Sequence, residues 1–299
     1  MTMAKIALLP DRGVVSVMGD DARKLLQGVI TNDMAAFDQG VAAIHAGLLT
    51  PQGKILFEFF VAAVPGGFLL ETAADRVADL VKRLTLYKLR AAADISDVSE
   101  RFKFLALWGK DHCSSGETVG TVSFRDPRHP LLGLRILAEG RFATDIASAT
   151  NGRNATPAEY DDHRISLGVP QGGRDYALGD TFPHEADFDL LAGVSFTKGC
   201  FVGQEVVARM ENKSVVRKRV VGVTGAGLAS GVEVRLGEVT IGSVGTVAGQ
   251  QGLALVRLDR VVEALDGGLM LLAGGLPVVV DPAAGGRYRR SVAEKAAGP

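Results

Sequence analysis

The feature that most restricts how this chain can fold is a change of rhythm after residue 213. Glycines recur at 225, 227, 231, 237, 242, 245, 249 and 252, and short apolar runs lie between them at 220–223, 233–236, 241–247 and 253–258, followed by 269–272 and 276–280. Short strands punctuated by turn residues bury their apolar faces by curling on one another, so residues 216–290 are expected to form a small antiparallel β-barrel or sandwich. Upstream the pattern is mixed. Strands are expected at 4–9, 13–18, 41–49, 54–64, 67–72 and 94–98, with Thr50-Pro51-Gln52-Gly53 as a hairpin turn. Helices are expected from Asp20-Asp21, where aspartate suits the cap, to Gly28, and over 75–89, where Val77, Leu80, Val81 and Leu84 recur at helical spacing. Residues 1–100 therefore read as an α+β unit with helices on one face of a mainly antiparallel sheet. Residues 101–215 read as a second α/β-layer unit of the same ferredoxin-like type, with strands at 102–108, 119–124 and 134–137. Its helix opens on Thr156, Pro157 and Glu159, a capping-box pattern. Residues 291–299 are expected to be a tail.

The stretch richest in chemistry is 197–210, Thr-Lys-Gly-Cys-Phe-Val-Gly-Gln-Glu-Val-Val-Ala-Arg-Met. Gly199 and Gly203 bracket Cys200 and predict a tight turn. From Gln204 the pattern turns helical: Val206, Val207 and Met210 share a face, and Glu205 with Arg209 is a favourable i,i+4 pair. Cys200 is thus expected in a loop before a helix, with Lys198 two residues upstream, and both neighbours favour thiolate over thiol. A free cysteine is also among the most buried residue types, so an inert side chain carried inward by Phe201 and Val202 is the competing reading. Two other features carry paired readings. Thr31-Asn32-Asp33 is either a turn or the cap of another short helix, or a ligand-facing loop. Glu58, among apolar neighbours on its strand, is either a surface carboxylate or part of a pocket lining.

Composition removes several function classes. The formal net charge of −1 gives no global attraction to nucleic acid or anionic membrane, so RNA contact needs a local patch such as Arg217-Lys218-Arg219, which otherwise reads as a solvated strand edge. The two cysteines, Cys113 and Cys200, form no C-x-x-C pair, and the five histidines (45, 112, 129, 163 and 184) show no close metal-ligand spacing, so no metal site is expected. Phosphate-loop and serine-elbow motifs are missing. The longest apolar tract, 269–280, is interrupted by Gly274, Gly275 and Pro277 and is too short to span a bilayer. Few cysteines and no signal-peptide core point to a soluble cytoplasmic protein with no membrane partner.

The run Lys198-Gly199-Cys200-Phe201-x-Gly203-Gln204-Glu205-x-x-x-Arg209 resembles the signature of the YgfZ family, folate-binding proteins related to the T-protein (aminomethyltransferase) of the glycine cleavage system. The similarity extends over nearly the whole chain. It implies that the two α+β units form a folate-binding region beside the barrel, that the cofactor is tetrahydrofolate or a one-carbon derivative, and that the chain assists assembly or repair of iron–sulfur proteins. Partners implied are iron–sulfur assembly proteins or cluster-containing enzymes, with a possible tRNA link through one family member. The resemblance makes Cys200 the working thiol, helped by Lys198. Gly199, Gly203, Gln204, Glu205 and Arg209 are the surrounding motif. The Thr31-Asn32-Asp33 segment, the hairpin at 47–54 and Tyr87-Lys88-Leu89-Arg90 border the folate channel. Asn32, Asp33, Glu58, Tyr87 and Arg164 are its candidate contacts. Two departures stand out. Phe57-Glu58 replaces the acidic pair of T-proteins, and an aromatic ring cannot accept a proton, which argues against aminomethyl transfer by that route. Ser166 stands where a pterin-binding glutamate is expected. A folate-dependent aminomethyltransferase and a tRNA-modification accessory protein are the alternatives.

Overall fold

A computed structural model describes residues 4–109, 120–140, 153–213 and 215–297. The chain divides into two compact units, each assembled from three segments: residues 1–49, 56–160 and 190–202 in the first, and 50–55, 161–189 and 203–299 in the second.

The first unit has two five-stranded sheets. One follows the order β3-β4-β5-β2-β6, built from β2 (Arg12–Met18), β3 (Ala43–Leu49), β4 (Ile55–Val64), β5 (Gly67–Ala73) and β6 (Asp94–Asp97). Helices α1 (Ala22–Val29) and α2 (Val77–Lys88) cover one face, where Leu25, Leu26, Leu80 and Leu84 meet Val15, Val17, Phe57, Phe59 and Val61. The period-two alternation of β4 turns Phe60 and Ala62 to the opposite face. There they pack with Phe102, Phe104, Ala106 and Trp108 of the second sheet. That sheet runs β10-β1-β7-β9-β8, from β1 (Lys5–Leu8), β7 (Phe102–Trp108), β8 (Thr121–Arg125), β9 (Leu134–Glu139) and β10 (Arg153–Ala155). Burying each Phe or Leu contributes about 1.5–3 kcal/mol, whereas exposed ion pairs such as Arg23–Asp38 are screened by water and add little. The cores therefore hold the unit together.

The expected boundary at residue 100 does not separate compact units. Strand β1 pairs antiparallel with β7, so the first residues of the chain complete the sheet of the segment after 100. The capping box is present: Glu159 N donates to Thr156 Oγ1 at 3.2 Å and Thr156 N to Glu159 Oε2 at 3.0 Å, opening α3 (Pro157–Ser166). Asp21 stands at the N-cap of α1, but its side chain makes no cap bond and instead accepts from Ala92 N at 2.7 Å.

In the second unit, β11 (Lys218–Gly225), β12 (Glu233–Leu236), β13 (Val239–Ala248), β14 (Gln251–Arg257), β15 (Leu271–Ala273) and β16 (Leu276–Val280) close a six-stranded antiparallel barrel. Two helices were not expected. The first is α5 (Leu258–Gly267), which buries Leu258, Val261 and Ala264 against the barrel core. The second is α6 (Pro282–Ala297), which replaces the expected tail at 291–297. The unit also holds α4 (Gln204–Lys213), the irregular 171–189 segment and the hairpin tip, where Ile55 N donates to Thr181 O at 2.9 Å. No helix among the described residues is long and apolar enough to cross a membrane.

Candidate functional site

Cys200 is exposed, in irregular backbone that ends one compact segment at Val202. Phe201 and Val202 thus do not carry the sulfur into a core. The loop before it is held by side chains from far upstream in the same unit. Three successive carbonyls are captured: His45 Nδ1 meets Leu191 O at 3.0 Å, Asn32 Nδ2 donates to Ala192 O at 2.8 Å, and Thr31 Oγ1 donates to Gly193 O at 2.6 Å. A carbonyl only accepts, so His45 Nδ1 is the donor in the contact with Leu191 O. Ala192 itself sits in left-handed backbone (φ 51°), a conformation that persists for alanine where neighbours hold it. Next, Ser195 N donates to Thr31 O at 3.0 Å. Then Lys198 Nζ donates to the carbonyls of Gln27, Ile30 and Asn32 at 2.8, 2.7 and 2.8 Å, at the C-terminal end of α1. Burial lowers the Lys198 ammonium to about 8. Its three donors are committed to carbonyls, so Lys198 is a fastening of the loop and not the thiol's hydrogen-bond partner.

The other expected residues fall into three groups. Asn32 and Asp33 lie in this fastening: Asn32 also donates to His45 O at 2.8 Å, and Asp33 Oδ1 caps the following 3₁₀ turn through Ala35 N at 2.9 Å. Asp33 thus caps a short helix, as one reading of Thr31-Asn32-Asp33 expects, and the segment also clamps the cysteine loop. Glu58 is connected to it through His45, whose Nε2 lies 3.0 Å from Glu58 Oε1. Tyr87 is half-buried against the core of α1 and α2. Arg164, Gln204, Glu205 and Arg209 belong to the second unit. Arg164 is 1% exposed and donates to Asp161, Val169 O, Asp175 and Thr246 at 2.6–3.1 Å, so its guanidinium is spent inside that unit. Val207 of α4 is buried with Val206 and Met210 beside it, as the spacing predicts, whereas Glu205 and Arg209 are exposed and form no ion pair among the described residues. Gly203 is left-handed (φ 81°), as a turn requires; Gly199 is not, and a Cβ there would meet nothing within 4 Å. Gly53 is obligatory on two counts: φ is 80°, and a Cβ would lie 2.8 Å from Val206.

Sequence reasoning missed a buried ionic chain that leads to the clamp. Arg12 Nε meets Glu71 Oε1 at 3.0 Å, Glu71 meets Arg135 at 2.6 Å, and Arg135 meets Asp126 at 3.3 Å. Asp126 takes Arg128 bidentately at 3.0 and 2.8 Å, and Arg128 lies 3.8 Å from Glu58. Burial opposes a charge on Asp126, but Arg128 and Arg135 outweigh it and hold the carboxyl below its ordinary range. Each acid has a cation, which is what makes burying the set tolerable. In the sequence, Asp126-Pro127-Arg128 is legible only as part of the connection between the strands expected at 119–124 and 134–137. Cys113 and His112 lie outside the described residues. Among the described residues no group of three His, Cys, Asp or Glu side chains could hold a metal ion.

Comparison with known proteins places this geometry in a family. Residues 217–284 match the family model described as the CAF17 C-terminal β-barrel domain. The iron–sulfur cluster assembly factor IBA57 homolog of Mycosarcoma maydis is 34% identical over 73% of this chain, which spans 56% of that relative's length. Coverage of the Neurospora crassa homolog is similar, at 53%, so the chain spans about half the length of these fungal relatives. The glycine cleavage system aminomethyltransferase T of Bartonella henselae superposes with a TM-score of 0.75 over 93% of this chain and 85% of its own, at 16% identity, a likeness of fold alone. Human iron–sulfur cluster assembly factor IBA57 is 30% identical over 90% of this chain and 83% of its own length, and on that match the chain belongs to the IBA57 family.

Proposed function

We propose that this chain assists iron–sulfur cluster assembly or repair, with Cys200 supplying one sulfur ligand or thiol contact to a cluster held jointly with a partner protein. The observation that carries the reading is an exposed sulfur on a loop whose backbone is fastened by Thr31, Asn32, His45 and Lys198. Clusters of the common types take four protein ligands, and Cys200 has no companion ligand set among the described residues. In this reading the remaining ligands come from the partner, an iron–sulfur carrier or client. The relatives' printed role as assembly factors supports the same reading.

Tetrahydrofolate, or a one-carbon derivative, is the small ligand we propose, on the likeness of fold. The residues named for it do not form a free set: Asn32 and Glu58 are engaged in the clamp, and Arg164 is spent within its own unit. Aminomethyl transfer draws no support from the site, because Phe57 lies in the core at 2% exposure. A tRNA contact is left with Arg217 and Lys218, since Arg219 is bound to Asp187 and Asp189.

The test is complementation of a deletion strain lacking this gene. Wild type is expected to restore iron–sulfur enzyme activity and Cys200→Ala to leave it at the deletion level; full restoration by Cys200→Ala removes the role given to the thiol. For folate, calorimetric titration with tetrahydrofolate is expected to show saturable binding, and no heat of binding would end that part of the reading.

A further inference from the structure

The cage at the end of α1 has the chemistry of a cation site. The carbonyl oxygens of Gln27, Ile30 and Asn32 converge on one point, and Lys198 Nζ occupies it at 2.7–2.8 Å from each. Helix C-termini leave carbonyls unpaired and carry partial negative charge; Gln27 and Ile30 belong to that end of α1 and Asn32 lies just beyond it, so the three oxygens turned inward repel one another unless a cation sits between them. An ammonium carries three N–H groups in a tripod, one for each oxygen. The Phe201 ring faces the same nitrogen at 5.0 Å, adding a cation-attracting surface from the loop itself. The cage thus joins α1 to the segment that carries Cys200, with one residue of separation between the anchored side chain and the sulfur.

We propose that the end of α1 is a monovalent-cation site occupied from within the chain, and that Lys198, as its cation, is the positioning residue that fixes the Cys200 loop. The proposal deepens the function given above and rests on Cys200 being the working group. It replaces activation of the thiol by a nearby charge with placement of the thiol by a filled cage. Shortening Lys198 to alanine leaves three carbonyls around a space that a small free ammonium ion can enter. Methionine fills the space with an apolar chain, and arginine brings charge in a planar fork that cannot address three converging oxygens.

The test is amide hydrogen exchange of the full-length chain, followed by mass spectrometry over 190–202, with β4–β5 as internal control. Lys198→Ala is expected to speed exchange at 195–202 by about tenfold or more, the scale of losing charge-assisted hydrogen bonds. Protection is expected to return when methylammonium chloride replaces tetramethylammonium chloride at equal ionic strength. Lys198→Met is expected to be loosened and not to respond to methylammonium. Wild-type protection in Lys198→Ala, or no recovery with methylammonium, overturns the proposal. If the alanine variant also loses protection in β4–β5, Lys198→Arg decides: wild-type protection there shows that charge alone suffices and overturns it, and selective loosening of 195–202 sustains it. These readouts do not depend on any cluster, so they fail or succeed separately from the complementation result.

Discussion

Arg219 serves two acids at once. Its guanidinium donates to Asp187 Oδ1 at 2.7 Å, to both oxygens of Asp189 at 2.9 and 2.6 Å, and to His184 O at 2.7 Å. The sequence reading of 217–219 as a solvated strand edge holds for Arg217 and Lys218, which are exposed, and fails for Arg219. Arg219 and, more weakly, Arg287 oppose burial at Asp187 without outweighing it. Burial, with the like charge of Asp189, pushes Asp187 up to about 6 against the pull of Arg219. The folded value exceeds the ordinary 3.8, so folding favours the protonated acid. The stabilisation that protonation gives is complete below 3.8 and is lost as pH rises through about 6. An offset of about two units corresponds to about 3 kcal/mol. Asp187→Asn keeps an acceptor for Arg219, and asparagine tolerates the left-handed backbone at this position (φ 58°). Urea unfolding is expected to find this variant equal to wild type near pH ~4 and more stable by up to about 3 kcal/mol above pH ~7. A variant less stable than wild type at the higher pH would show that the attraction to Arg219 outweighs burial.

Among the elements, those with a strong period were legible. The alternation of β4 and the helical spacing of α2 place Phe57, Phe59, Leu80 and Leu84 in one core, as their spacing requires. The glycine-spaced runs after 213 close the barrel. Strand β10 was missed because its three residues, Arg153, Asn154 and Ala155, carry no apolar alternation and join the sheet only through the parallel partner β1. Helix α6 was missed because Pro282-Ala283-Ala284-Gly285-Gly286 has the composition of a loop. Each glycine costs a helix interior about 1 kcal/mol, yet Ala284 is buried in the barrel core and packing overrides that cost. Helix α5 was legible in principle, since Leu258, Val261 and Ala264 follow its buried face. At the site, the exposed loop and the helix after it could be read from residues 197–210. The clamp could not. Its acceptors are backbone carbonyls, which every residue carries alike, and the sequence separation between Lys198 and Gln27 is 171. A side chain seeking a carbonyl across such a distance leaves no pattern in composition or spacing.

For the whole molecule, the order of segments matters more than their number. Both units are built from three separated stretches, and one crossing between them falls at Val202–Gly203, inside the cysteine motif. The barrel is the continuous piece. Its ring is closed, so no strand edge is left unpaired, and its core is drawn from its own strands with α5 and α6. A fragment of residues 216–297 is therefore expected to fold alone, with a cooperative thermal transition. The complementary fragment, 1–215, is expected to fare worse. In the second unit the 161–189 segment depends on the barrel: Thr246 N donates to Asp175 at 2.7 Å, Thr246 Oγ1 accepts from Arg164 at 2.8 Å, and Val220 N donates to Glu185 O at 2.9 Å. Removing the barrel also takes Arg219 away from Asp187 and Asp189. Leaving a buried charge without its partner costs about 3–5 kcal/mol, a large share of the roughly 5–15 kcal/mol that holds a domain folded. Limited proteolysis should then cut 1–215 within 161–189 at protease levels that leave the full chain whole. Equal resistance of that segment in both proteins would mean that its own contacts, Arg164 to Asp161 and Asp175 above all, suffice without the barrel.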